Sequence, residues 1–168
     1  MTLEEMEKKL KFLEGTIQAL EKRVRVTEDV QEIQELQGRY INALMCAEWD
    51  DVVDCFAENA HIDVYLHEPI TGKAAIDKWF RETLSQTHAG KEGDIVVHPV
   101  ISVDGDDATG RWALYMMYFY PRTGQSLFWV HGFYRMKYVR ENGRWKISEM
   151  FWRERLGLPG GGPPTGLF

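Results

Sequence analysis

A carboxylate, an imidazole and a phenol held away from water can take a proton from carbon and protonate a departing oxygen. Asp94, His98 and Tyr40 are the candidates for those parts in this 168-residue chain. Tyr40 falls on the apolar face of a helical repeat, where its ring packs and its hydroxyl needs a partner. A structural tyrosine and an acid or oxyanion donor both fit that place. Asp94 follows Gly93 at the head of an alternating segment, a position also open to a solvated carboxylate. His98 shares its strand face, but four residues of strand span roughly 13 Å, so the two can flank a ligand and cannot exchange a proton directly.

Other reactive side chains point elsewhere. His61 and Asp63 lie two apart on one strand face, yet no third ligand stands at a workable spacing, so neither a metal nor any other cofactor is expected. Alternation sets His131 with Trp129, Phe133, Arg135 and Lys137 on an outer face, unless a bulge at Gly132 turns it inward. Arg81 and His88 belong to a helix and its exit, near a pocket mouth or simply at the surface. Cys46 and Cys55 are too few and too isolated for a disulfide framework or a zinc site, and read as two small buried hydrophobes. That usage suits a reducing cytoplasm.

The elements that must carry these groups follow from periodicity. Leu3, Met6, Leu10, Leu13, Ile17, Leu20 and Val24 recur at spacings of three and four, the seam of a coiled coil, so residues 1–25 form an amphipathic helical arm. Three heptads interrupted by Gly15 need packing against the same chain or a neighbour. Thr27 or Asp29 caps a second helix with Val30, Ile33, Leu36, Tyr40, Ile41, Leu44 and Met45 on one face. Asp50 to Ala57 is a short amphipathic helix, 60–66 a strand, and a further helix opens near Thr71 and buries Ile76, Trp79, Phe80 and Leu84. Segments 94–103, 108–120, 127–139 and 144–152 alternate as strands joined by tight turns, an antiparallel meander. Helices first and strands last give an α+β domain over 26–155, with a curved antiparallel sheet wrapped around the N-terminal helices. Residues 156–168, rich in Gly and Pro, form a tail that is either disordered or laid down as a strap.

Composition limits the partners. With 20 Lys+Arg against 26 Asp+Glu the net charge is −6, which leaves no basic footprint for nucleic acid. No apolar run approaches a membrane span, so a soluble, cytoplasmic protein is expected. Along 111–120 both strand faces are largely apolar, whereas a sheet with one wet side alternates cleanly. The outer face is therefore expected to be covered by another subunit, in a homo-oligomer that is a dimer or a trimer.

The phrases Val103-Asp104-Gly105-Asp106-Asp107-Ala108-Thr109-Gly110-Arg111-Trp112 and Asn142-Gly143-Arg144-Trp145-Lys146-Ile147, with the order of elements, resemble the SnoaL-like branch of the nuclear-transport-factor-2-like superfamily. Ile33 to Tyr40, Trp49-Asp50 and 108–112 look most like bile-acid 7α-dehydratases, and more distantly like scytalone dehydratase and hexachlorocyclohexane dehydrochlorinase. The resemblance implies a cystatin-like cone with an apolar pocket at its mouth, here with an extra N-terminal helix. It also implies inward places for Asp94 and His98, where removal from water makes a carboxyl a usable base or acid and where His98 orients a ligand or acts as a second acid/base group. A His98 held by a backbone carbonyl is the plainer alternative. Of the dehydratases' four catalytic positions Tyr40 matches, while the helix Asp, the His and the strand Asp fall on Met45, Asp94 and Met116.

Two functions follow from that pattern. One is a cofactor-independent lyase (dehydratase) or isomerase acting on a hydrophobic, hydroxylated, ring-containing small molecule, with Tyr40, Asp94 and His98 catalytic and Met45, Trp112, Met116, Tyr118 and Tyr134 lining the pocket. The other is a non-catalytic protein of the same fold that binds a hydrophobic ligand or serves as an accessory subunit, suited by the pliable Met45 and Met116.

Overall fold

The computed structural model describes residues 2–64, 68–86, 92–119 and 127–156, and of 92, 118, 119 and 127–129 the backbone alone. The tail from Gly157, His88 and the side chain of Tyr118 lie outside the described residues.

The first element, α1, is a single helix from Leu3 to Cys46, opened by a capping box between Thr2 and Glu5. No break occurs at Thr27 or Asp29, where the sequence predicts a new start. Thr27 Oγ1 donates back to Arg23 O at 3.0 Å, within the helix. Asp29 is buried, ion-paired to Arg140, and accepts from Trp145 Nε1 at 3.2 Å. Its carboxylate is thus committed to the sheet, and tertiary partners override the capping preference. Arg140 also lies over the Trp145 ring at 4.5 Å, which makes this cluster the clamp between helix and sheet. α1 ends at Ala47, in the left-handed conformation with φ 57.

Helix α2 (Trp49–Asp54) leads into β1 (Phe56–Val64), which pairs with the short β2 (Ile70–Thr71). Helix α3 (Lys73–Glu82) and a 3-10 turn (Leu84–Gln86) follow, burying Ile76, Trp79, Phe80 and Leu84 as their spacing predicts. Then comes the meander of β3 (Glu92–Asp104), β4 (Asp107–Phe119), β5 (Leu127–Glu141) and β6 (Arg144–Leu156). Asn142 and Gly143 both take positive φ, as a two-residue hairpin of the twisted kind requires.

The sheet order is β2-β1-β6-β5-β4-β3. The meander is antiparallel throughout, but β1 joins β6 in parallel, a pairing that the alternation of β1 leaves open. Ile33, Leu36, Tyr40 and Leu44 of α1 share one core cluster with Phe56, Phe80, Leu114, Tyr134 and Ile147. The architecture is α+β, with the helices closing the inner face of the sheet. Among the described residues no helix is long and apolar enough to cross a membrane.

Candidate functional site

Tyr40 reaches the centre of the inner surface from α1. Its ring stands edge-on to Phe56 at 5.7 Å, to Phe80 at 6.5 Å and to Tyr134 at 6.4 Å between centroids. The hydroxyls of Tyr40 and Tyr134 are hydrogen-bonded to each other. Burial pushes the Tyr40 phenol well above the ordinary tyrosine value; the Tyr134 bond opposes this, and the nearby Asp94 charge adds to it. Tyr40 therefore stays protonated at neutral pH.

Asp94 enters from β3 and is buried. Its backbone N–H donates to Met45 Sδ at 3.1 Å, and across the ladder it lies opposite Met116. Met45, Asp94 and Met116, the three positions at which the chain departs from the dehydratase pattern, are thus neighbours in space. One carboxyl flanked by two thioethers replaces a more polar set.

Trp112 sits one level deeper. Its Nε1 donates to Tyr138 OH at 2.9 Å, and Tyr138 OH donates to Gln37 Oε1 at 3.2 Å. Burial raises the Tyr138 phenol well above its ordinary value, so this chain is a set of neutral donors and acceptors. Gln37 Nε2 is buried with no hydrogen-bond partner among the described residues. Gln37 lies one helical turn before Tyr40 on the same inward stripe, and sequence reasoning passed it over. The available signal was an amide inside an otherwise apolar helix face.

His98 does not join this group. Val97 pairs with Ala113 but Val100 pairs with Arg111, so β3 carries one extra residue there. His98 occupies that bulge at φ 55 and is exposed, while Ile101 and Val103 take over the inward positions beyond it. The expectation that His98 shares a face with Asp94 assumed unbroken alternation. Pro99 was the warning, since proline within a strand is confined to edges and bulges, and β3 is an edge.

The remaining candidates are tied up elsewhere. His131 faces outward, with its ring tilted against Tyr115 at 4.4 Å and edge-on to Phe133 at 5.1 Å between centroids. His61 Nδ1 bonds Thr71 Oγ1 at 2.8 Å, and Asp63 pairs with Arg153 at 2.8 Å. No cluster able to hold a metal ion is present among the described residues. Arg81 joins Asp77 of its own helix at 2.7 Å and also pairs with Asp50. Cys55 is buried, with its thiol raised to about 11 mainly by burial, whereas Cys46 is exposed, contrary to the expectation of two buried thiols. On the outer sheet face a groove of about 510 Å³ runs past His61, Arg111, Arg135, Glu149 and Phe151. Arg135 and Arg153 lie over the Phe151 ring at 4.0 and 3.7 Å.

The profile of the SnoaL-like domain matches residues 25–150, three quarters of the chain. The chain belongs to the SnoaL-like domain family. Solved structures agree on the architecture of this SnoaL-like domain. A scytalone dehydratase-like protein of Novosphingobium aromaticivorans superposes with a TM-score of 0.72 at 17% identity, covering 83% of this chain and 95% of that one. The hexachlorocyclohexane dehydrochlorinase LinA-type3 of Novosphingobium barchaimii gives 0.69 at 15% identity, with 81% and 92% covered. An NTF2-like protein with a cystatin-like fold, also from N. aromaticivorans, gives 0.67 at 22% identity, with 79% and 86% covered. At these identities the likeness is one of fold, and the SnoaL-like domain's chemistry has to be argued from its own side chains.

Proposed function

We propose that the chain is a cofactor-independent lyase or isomerase for a hydrophobic, hydroxylated, ring-containing small molecule held against the inner face of the sheet. The observation that carries this reading is the convergence of a buried carboxyl, Asp94, with the hydrogen-bonded Tyr40–Tyr134 pair on one apolar surface. The Asp94 carboxylate takes a proton from carbon, and the C–H electron pair moves toward an adjacent bond. The tyrosine pair hydrogen-bonds the oxygen on which charge develops. In an elimination the C–O bond breaks, Asp94 hands the proton to the departing hydroxyl, and water leaves. In an isomerisation the proton returns to another carbon. His98, exposed on its bulge, takes no part.

A second reading rests on Met45 and Met116. Two flexible thioethers beside Asp94 make a surface that adapts to an apolar ligand without converting it. We also propose that a second copy covers the outer sheet face, where Ile95 and Tyr115 are exposed in the single chain; cross-linking between Tyr115→Cys chains reads that contact.

The experiment is to incubate the protein with steroidal and aromatic alcohols and follow loss of water or double-bond migration by mass spectrometry and ultraviolet absorbance. Asp94→Asn is expected to lower kcat by about 10²-fold or more, and Tyr40→Phe or Tyr134→Phe by about 10-fold to 10²-fold. Turnover unaltered in all three variants overturns the assigned roles. Tight binding without conversion establishes the second reading instead.

A further inference from the structure

The projecting half of α1 carries an apolar seam that its own domain leaves uncovered. Leu3, Leu10, Ile17 and Val24 are 71%, 57%, 54% and 54% exposed, and Met6, Leu13 and Leu20 between them are exposed as well. The helix buries Ile33, Leu36, Tyr40 and Leu44 against the sheet. Val24 and Ile33 are nine residues apart, about two and a half turns, so the seam and the domain-facing stripe lie on opposite sides of one rod. A single domain can cover only the second. Exposed segments of this length are marginal as isolated helices, and a contiguous apolar stripe of this kind marks an association surface.

The charges beside the seam identify the occupant. With Leu3, Leu10, Ile17 and Val24 at the first core position of each heptad and Met6, Leu13 and Leu20 at the second, one flank reads Glu7, Glu14, Glu21 and Glu28. The other flank reads Lys9, Thr16 and Arg23. In an antiparallel pair like flanks meet, setting glutamate against glutamate and Lys9 against Arg23. In a parallel, in-register pair each residue of the basic flank meets the acidic flank of the next heptad, so that Lys9 faces the partner's Glu14 and Arg23 faces the partner's Glu28. In the half of the seam nearer the domain, branched Ile17 and Val24 at the first position with Leu13 and Leu20 at the second favour two strands; Leu3 and Leu10 hold the first position in the other half. Gly15 falls on the outer side, with nothing within 4 Å, and does not interrupt the seam.

We infer that residues 3–27 form a parallel two-stranded coiled coil with the same segment of a second copy of this chain. The association is independent of the chemistry proposed above, because none of these residues belongs to the site.

The test uses the full chain on a Cys46→Ser background. Leu3→Cys is expected to give a disulfide-linked dimer under mild oxidation, because a parallel register sets the two positions side by side. A double variant Lys9→Glu/Arg23→Glu and a second, Glu14→Lys/Glu28→Lys, are each expected to raise the dissociation constant by on the order of tenfold in sedimentation, and their equimolar mixture to recover association. No cross-link at position 3 above background, or charge variants that associate as the parent does, overturns the inference. Pairing through the sheet face alone gives both of those results.

Discussion

The backbone N–H of Asp94 donates to the sulfur of Met45 at 3.1 Å, joining positions 49 residues apart in the chain. The contact docks the end of α1 onto the edge strand β3 and places an adaptable side chain beside the buried carboxyl. An aspartate at position 45 would bring a second negative charge there instead. Met45 thus leaves Asp94 as the one carboxyl among positions 45, 94 and 116.

Met116→Asp would set a second carboxyl beside Asp94. Position 116 lies directly across the ladder from Asp94, where like charges repel. The new carboxyl holds its proton more tightly in the folded state than in the unfolded one. Stability therefore falls as pH rises past about 4, the ordinary carboxylate value. The variant is expected to lose about 2 kcal/mol or more, with a larger deficit at pH 8 than at pH 5 in urea unfolding. A deficit that shrinks with rising pH would contradict the burial of Asp94 against this strand.

Gly132→Ala tests the fit of β5 on β6. A Cβ at Gly132 would stand 2.5 Å from the Arg153 carbonyl oxygen and 3.1 Å from Trp152 Nε1. The nearer atom is backbone and cannot swing aside. The substitution is expected to cost about 1–3 kcal/mol by chemical denaturation, and a cost below about 0.5 kcal/mol would show that the strands part without strain.

His131 gives the chain a pH dependence of known sign. Burial, and secondarily the charge of Arg155, hold its imidazole below the ordinary value. The unfolded chain therefore binds that proton more readily than the folded one. The histidine's contribution to stability is complete above about pH 6.5 and is lost as pH falls from there through the lowered folded value. The urea midpoint of the parent should drop more between pH 7.5 and 5 than that of His131→Gln; equal drops would remove His131 as the source.

Much of this fold is legible in the sequence because local physics and tertiary context agree. The inner stripe Ile76, Trp79, Phe80 and Leu84, the Asn142-Gly143 turn and the four long strands all follow from spacing and turn chemistry. Asp29 shows where that agreement ends. A cap and a buried mid-helix carboxylate look identical in sequence, and the choice was made by Arg140 and Trp145, more than a hundred residues away. The parallel pairing of β1 with β6 likewise leaves no mark on either strand. In the candidate site, Tyr40, Met45, Asp94, Met116 and Tyr134 share the inner surface through the alternation of strands and the helix period. His98 was misplaced because a single added residue in β3 inverts every face beyond it.

The continuity of α1 has a mechanical consequence. With no joint between Leu3 and Cys46, the rotational phase of the arm relative to Tyr40 is locked by residue count alone. Inserting one residue between Val24 and Asp29 would turn everything upstream by about 100° around the axis. Two such helices zipped together would then present their Tyr40-bearing ends in a different mutual orientation, so the spacing between arm and phenol acts as a gauge for how the halves of an assembly face each other.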